Sequence, residues 1–277
     1  MLNELIYVNE KFTKIMQEQQ GVFGAWYFGS FARGMTDEFS DIDIVFLIKE
    51  SDFDKIDENL NVLLSGACDE ITLRWAEGFN SHAIKNYGYL IRYGGKLFQY
   101  DVFLLNQGQI DDFMCQIHYT ELKKPDVIFD KNNNVQALID KGIKGSSWRA
   151  DIRYLITTYW FHVQMSAKYL LRKDYFKLEG VLRILMDTHM SLLLTVYDKT
   201  TWGGSANKLH FIPEEKQEHL MCYGCSKDFS IVRTNLLQVM KWFCDDVSSS
   251  KDIEIIQYNE QLNTKVLDDW EDKTKIL

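Results

Sequence analysis

Two aspartates one residue apart, Asp41 and Asp43, stand at the head of the apolar run Asp41-Ile-Asp-Ile-Val-Phe-Leu-Ile48. Side chains two apart on a strand share a face, so both carboxylates project together from buried surroundings. Such a pair repels itself, and burying it without a cation would force one member to protonate. A hard divalent ion with oxygen ligands stabilises both carboxylates and also binds phosphate oxygens, which makes magnesium the natural partner. Just upstream lies Tyr27-Phe-Gly-Ser-Phe-Ala-Arg-Gly34. Gly29, with no Cβ, lets backbone approach a phosphate closely, and Ser30 offers a hydroxyl and amide donors at the start of a short helix. The pattern describes an anion cradle beside a cation site. The bland alternative is that Asp41 caps a turn and Asp43 sits at an exposed strand edge.

The elements that must hold these groups can be read from hydrophobic periodicity. Residues 2 to 19 carry Leu2, Leu5, Ile6, Phe12 and Ile15 among charged residues, an amphipathic helix pattern. Val22–Phe28 and Ile42–Ile48 read as adjacent strands. Glu70–Leu73, Tyr89–Tyr93, Leu97–Leu105 and Val127–Phe129 are further strand candidates, with Gly94-Gly95 as a tight hairpin turn and Lys131 to Asn134 as a loop before another helix. After about residue 147 the pattern becomes helical: Trp148–Leu171, Tyr175–Tyr197, Pro213–Met221 and Phe229–Val247 carry apolar residues at helical spacing. The Gly-rich stretch from Trp202 to Lys208 reads as a turn rather than a pocket wall. The fold expected is therefore α+β, a mixed sheet flanked by helices followed by a helical bundle. The division falls at 1–146 and 147–277.

Composition bounds the function. A chain of 277 residues with 46% hydrophobic residues can bury two ordinary cores. A net charge of -9 weighs against binding a phosphate backbone, so nucleic acid is not an expected partner. No window reaches the ~20 apolar residues of a membrane span, and the N-terminus does not read as a signal peptide, so a cytoplasmic, membrane-free protein is expected. Five cysteines fit reduced thiols better than a disulfide framework. Cys222 and Cys225 form a Cys-x-x-Cys pair with only His210 and His219 nearby, and buried or surface thiols are the preferred reading over a zinc site. Trp75, Trp148, Tyr159, Trp160 and Trp202 could face a nucleobase or an acceptor, but aromatics at such spacing more often fill a core.

Gly-Ser after an apolar strand, ten residues, then Asp-x-Asp inside a second apolar strand closely resembles the signature of the DNA polymerase β-type nucleotidyltransferase superfamily. The resemblance implies a third carboxylate from a later strand. Asp101 meets it, inside Lys96-Leu-Phe-Gln-Tyr-Asp-Val-Phe-Leu-Leu105, where an unpaired charge needs explanation. A strand-end Asp paired with Lys or Arg is the other reading of Asp101, and Glu70 is a weaker candidate for a base. With its helical second half, the chain is similar to bacterial lincosamide and aminoglycoside nucleotidyltransferases. Val127-Ile-Phe-Asp-Lys131 and Lys168-Tyr-Leu-Leu-Arg-Lys-Asp-Tyr175 add looser local matches.

That resemblance implies a catalytic domain at 1–146 and a substrate-binding helical domain at 147–277. Asp41, Asp43 and Asp101 would hold Mg2+ and carry the catalysis. Gly29, Ser30, Arg33 and Lys168 would hold the triphosphate of ATP or another NTP. The reaction implied is transfer of a nucleoside monophosphate to a hydroxyl of a small, antibiotic-like acceptor, with release of pyrophosphate, by a monomer or a homodimer. Two readings compete. A nucleotidyltransferase-type antitoxin acting on a partner protein is disfavoured by the large helical half, and a catalytically dead nucleotide-binding module by the presence of all three carboxylates.

Overall fold

The computed structural model describes residues 2–142, 150–198 and 205–275. The chain folds into two compact units, Met1–Ser146 and Ser147–Leu277.

In the first unit the order is α1 (Leu2–Glu18), β1 (Val22–Phe28), α2 (Gly29–Ala32), β2 (Ile42–Ile48), α3 (Phe53–Ser65), β3 (Glu70–Ala76), β4 (Ile84–Tyr93), β5 (Lys96–Asn106), α4 (Phe113–Ile117), β6 (Val127–Asp130) and α5 (Asn134–Gly142). The six strands form one sheet in the order β3-β4-β5-β2-β1-β6. Among these strands only the β2–β5 pairing is parallel. A parallel neighbour needs a long crossover, and the chain between β2 and β5 supplies it with α3 and the β3–β4 strands. Gly94 and Gly95, both at positive φ, close the β4–β5 hairpin as their types require.

Strand alternation sends successive residues of each central strand to opposite layers. Ile42, Ile44 and Phe46 of β2 and Tyr100 and Val102 of β5 pack under Leu5, Val8 and Phe12 of α1 and Ile56 and Leu60 of α3. The buried Tyr100 hydroxyl donates to Asn9 Oδ1 at 2.7 Å, and Asn9 Nδ2 donates to the Tyr27 hydroxyl at 2.9 Å, so the polar atoms under α1 are satisfied. On the other face Val45, Leu47, Phe103 and Leu105 pack against Cys115, Tyr119, Val135 and Leu138. Asp43 and Asp101 have the parity of this second face, so they continue its apolar rows toward the start of β2.

The second unit is helical throughout its described residues: α6 (Ile152–Leu171), α7 (Tyr175–Val196), α8 (Glu214–Leu220), α9 (Phe229–Ser248) and α10 (Ile253–Thr274), with short 3-10 turns between. Asp151, Asp174, Asp228 and Asp252 each accept a hydrogen bond from a first-turn backbone N–H, which is why four of these helices begin where they do. Tyr159 and Trp160 are buried in the core, the ring of Tyr159 stacking on Phe243 at 3.6 Å. Among them sits a buried polar chain: the Tyr159 and Tyr223 hydroxyls are 2.8 Å apart, His189 Nδ1 is 2.9 Å from the Tyr223 hydroxyl, and His189 Nε2 is 2.9 Å from Asp246 Oδ2. Lys216 Nζ closes it at 2.6 Å from Asp246 Oδ1. Burial pushes His189 down against the pull of Asp246, so the ring is neutral, with Nε2–H donating to the carboxylate and Nδ1 accepting from Tyr223. For Asp246, burial is outweighed by the bonds from His189 and Lys216, which hold it below the usual carboxylate range.

Several expected elements are extended or shifted. β4 begins at Ile84 rather than 89, and β3 runs on to Ala76. α6 is described from Ile152, and Trp148 lies outside the described residues, as do Trp202 and the adjoining glycines of the Gly-rich stretch. α3 and α10 are absent from the sequence expectations. No helix among the described residues is long and apolar enough to cross a membrane.

Candidate functional site

Strand register places one row of residues straight across the sheet. Phe28 pairs with Asp43, Asp43 with Asp101, Asp101 with Gly88, and Gly88 with Trp75. Directly paired residues point to the same face, and neighbouring strands lie about 4.8 Å apart, so Asp43 and Asp101 are side by side. Asp41 stands one residue before β2 rather than within it. Its charge still reaches both of the others, raising Asp43 and Asp101 alike.

The electrostatics are those of three partly buried carboxylates in one field. Asp43 is pushed up to about 7, first by burial and then by the charges of Asp41 and Asp101, with Arg33 opposing. Burial raises Asp101 as well, opposed by a hydrogen bond from Gln99 Nε2 to its Oδ2 at 3.0 Å and reinforced by Asp41 and Glu77. Asp41 is raised by burial. Like charges gathered this way would be relieved by a cation, and their oxygens are hard donors of the kind magnesium prefers. Among the described residues, no group of three or more His, Cys, Asp or Glu side chains is arranged to hold a metal ion.

Beside the carboxylates, Gly29 sits at φ +61, and a Cβ there would come within 2.0 Å of Asp43 Oδ2. Ser30 Oγ is buried and has no hydrogen-bond partner. A buried hydroxyl without a partner next to a backbone that only glycine allows is an arrangement that could accept an anion. Arg33, at the end of α2, is near enough for its charge to lower Asp43.

Glu70, Lys168 and the Cys-x-x-Cys pair are the remaining candidates, each described within its own unit. Glu70, at the far end of β3, is exposed and faces Arg92 at 3.7 Å. Lys168 is on α6 of the second unit, its Nζ 4.5 Å from the Tyr169 ring centroid, at the edge of a cavity of about 520 Å³ with Phe161, Arg172 and Lys273. Cys222 is partly buried and Cys225 exposed, while His219 stacks on Trp242 at 3.6 Å and His210 lies against Phe211.

Gln99, Gly88 and Glu77 enter the site without having been singled out in the sequence. Gln99 had a readable signal, since it stands two residues before Asp101 on a strand and must share its face. Gly88 and Glu77 had none, because their proximity depends on the register of separate strands.

The family model of the nucleotidyltransferase domain matches residues 10–114. The matched span runs from within α1 to within α4 and contains Gly29, Ser30, Arg33 and all three aspartates. No curated protein matches the chain significantly.

Proposed function

Starting from that nucleotidyltransferase domain, we propose that the chain transfers a nucleoside monophosphate, AMP in the first instance, from an NTP to a hydroxyl of a small molecule. The acceptor class proposed is antibiotic-like, an aminoglycoside or a lincosamide. The observation that carries the reading is the lateral pairing of Asp43 with Asp101, with the Asp43 carboxylate against the face of Gly29 that has no side chain.

In this reading the acceptor oxygen attacks the α-phosphorus. The new oxygen–phosphorus bond forms as the bond to the β-phosphate oxygen breaks, and pyrophosphate leaves. The hydroxyl proton passes to Asp101, which burial makes a stronger base than an ordinary carboxylate. Gln99 ties down Oδ2 of that carboxylate and leaves Oδ1 for the proton. Ser30 Oγ and the backbone after Gly29 hold phosphate oxygens, with the Arg33 charge beside them. Magnesium, held when bound by Asp41, Asp43 and Asp101, supplies the positive charge that offsets the phosphate oxygens. Positioning by the sheet does most of the rest.

The test is pyrophosphate release from ATP or GTP with magnesium and a panel of aminoglycosides and lincosamides, comparing wild type with Asp43→Asn. Release with one class, abolished by the substitution, supports the reading. NTP binding with no release for any acceptor would overturn it in favour of a purely binding role.

A further inference from the structure

The row across the sheet does not end at Asp101. On its far side a cavity of about 460 Å³ is bounded by Leu73, Trp75, Glu77, Gly88, Gln99 and Asp101 among others. Gly88 forms part of its wall: a Cβ there would stand 3.0 Å from Asp101 Oδ1 and 3.4 Å from Trp75 Cε3, so the missing side chain leaves room between carboxylate and indole. Trp75 and Leu73 belong to the edge strand β3 and are 58% and 47% exposed, large apolar surface on a face that carries catalytic-type residues. Among the described residues the lining contains two carboxylates, Glu77 and Asp101, and no Lys or Arg. Arg74, the nearest cation in sequence, has the opposite parity, its guanidinium 3.6 Å from the Tyr87 ring centroid and 3.0 Å from Asp57.

Resting on the transferase reading above, we propose that this cavity seats the acceptor, that Trp75 is its platform, and that Glu77 selects acceptors carrying a cation beside a hydroxylated ring. In-line displacement puts the attacking and leaving oxygens on opposite sides of phosphorus. The cradle of Gly29 and Ser30 lies on the β1 side of Asp43, and the cavity lies on the β4 side of Asp101, so the attacking hydroxyl comes from the cavity. A flat, exposed indole takes the apolar face of a ring or a cation, and a carboxylate at its edge rewards an ammonium over a neutral group.

The experiment measures steady-state kinetics and calorimetric binding of kanamycin, streptomycin and lincomycin to the full chain, comparing wild type with Trp75→Ala, Trp75→Phe and Glu77→Gln. All three substitutions change exposed or cavity side chains, and Trp75→Phe keeps an aromatic platform. Trp75→Ala is expected to raise KM and Kd for the bound compound roughly tenfold while KM for ATP stays put, with Trp75→Phe recovering most of the loss. Glu77→Gln is expected to weaken the compound similarly and to flatten the salt dependence of its binding. Turnover with acceptor KM unmoved in all three variants, or a rise in KM for ATP instead, overturns the acceptor seat alone. Binding that is lost in Trp75→Ala without any pyrophosphate release supports the seat and overturns the transferase reading. Wild type that binds none of the three compounds overturns the cationic-ring assignment.

Discussion

The carboxylate of Asp43 fills the place where a side chain on Gly29 would stand, its Oδ2 2.0 Å from the position of the missing Cβ. Gly29→Ala therefore carries two penalties. The left-handed backbone at φ +61 costs about 1–2 kcal/mol for a residue with a Cβ. The displaced carboxylate then loses its alignment with Asp101, and a shift of that size can cost about a hundredfold in rate. A thermal melt and kcat/KM measured together check both, and wild-type turnover in this variant would refute the arrangement.

The raised proton affinity of Asp43 makes stability depend on pH. Its carboxyl lies at about 7 in the folded chain against 3.8 ordinarily, so the stabilisation tied to its neutral form is complete below about 3.8 and is lost as pH rises through 7. Without divalent cations, Asp43→Asn is expected to be more stable than wild type at pH 8 by roughly 1–3 kcal/mol, and equal to it at pH 4. Added magnesium should raise the wild-type Tm more at pH 8 than at pH 6, since it binds the ionised form. Melts across pH with and without magnesium decide this, and parallel curves for the two proteins would remove Asp43 from the account.

Asp101 and Gln99 form a separable pair. Asp101→Asn is expected to lower kcat by about 10²–10⁴ with NTP affinity largely kept. Gln99→Ala removes the bond that opposes the rise in Asp101, so the acidic limb of its pH–rate profile should move to higher pH. A limb that stays in place would mean that Asp101 is not the group whose ionisation is read.

In the helical unit, Asp246 is the acceptor for both His189 and Lys216. Asp246→Ala leaves an ammonium and an imidazole N–H facing a void and should destabilise the unit by about 3–5 kcal/mol. Denaturant unfolding of the full chain, followed by the buried tryptophans, measures this. A loss under about 1 kcal/mol would show that water replaces the carboxylate readily.

The site was legible where it is local. Asp41, Asp43, Gly29 and Ser30 lie within fifteen residues of one another, and strand parity with glycine's backbone freedom is enough to group them. Asp101 could be joined to them only by resemblance, and its true neighbour in the row, Gly88, by nothing in the sequence, because register between distant strands is a tertiary fact. Trp75 was visible as an aromatic, yet core filling was the better expectation until β3 proved to be an edge strand. Among the helices, α10 carries a weak signal because Ile255, Tyr258, Leu262 and Val266 make a narrow stripe in an otherwise charged stretch. The spacing of Phe53, Ile56, Leu60 and Leu64 in α3 is a helical signal, overshadowed by the stronger apolar runs of the strands on either side.

The position of Trp75 on the outermost strand separates what can drift in this protein from what cannot. The carboxylates of β2 and β5 sit at the middle of the sheet, where a change disturbs neighbours on both sides, whereas β3 has only β4 beside it. Substitutions at Leu73 and Trp75 in β3, and at Glu77 just beyond it, should thus accumulate with little effect on folding, and under the acceptor-seat proposal each one would reshape what the cavity admits. A lineage of such chains would keep its chemistry fixed while its choice of acceptor wandered, and a few changes along one strand would be enough to send two descendants toward different compounds.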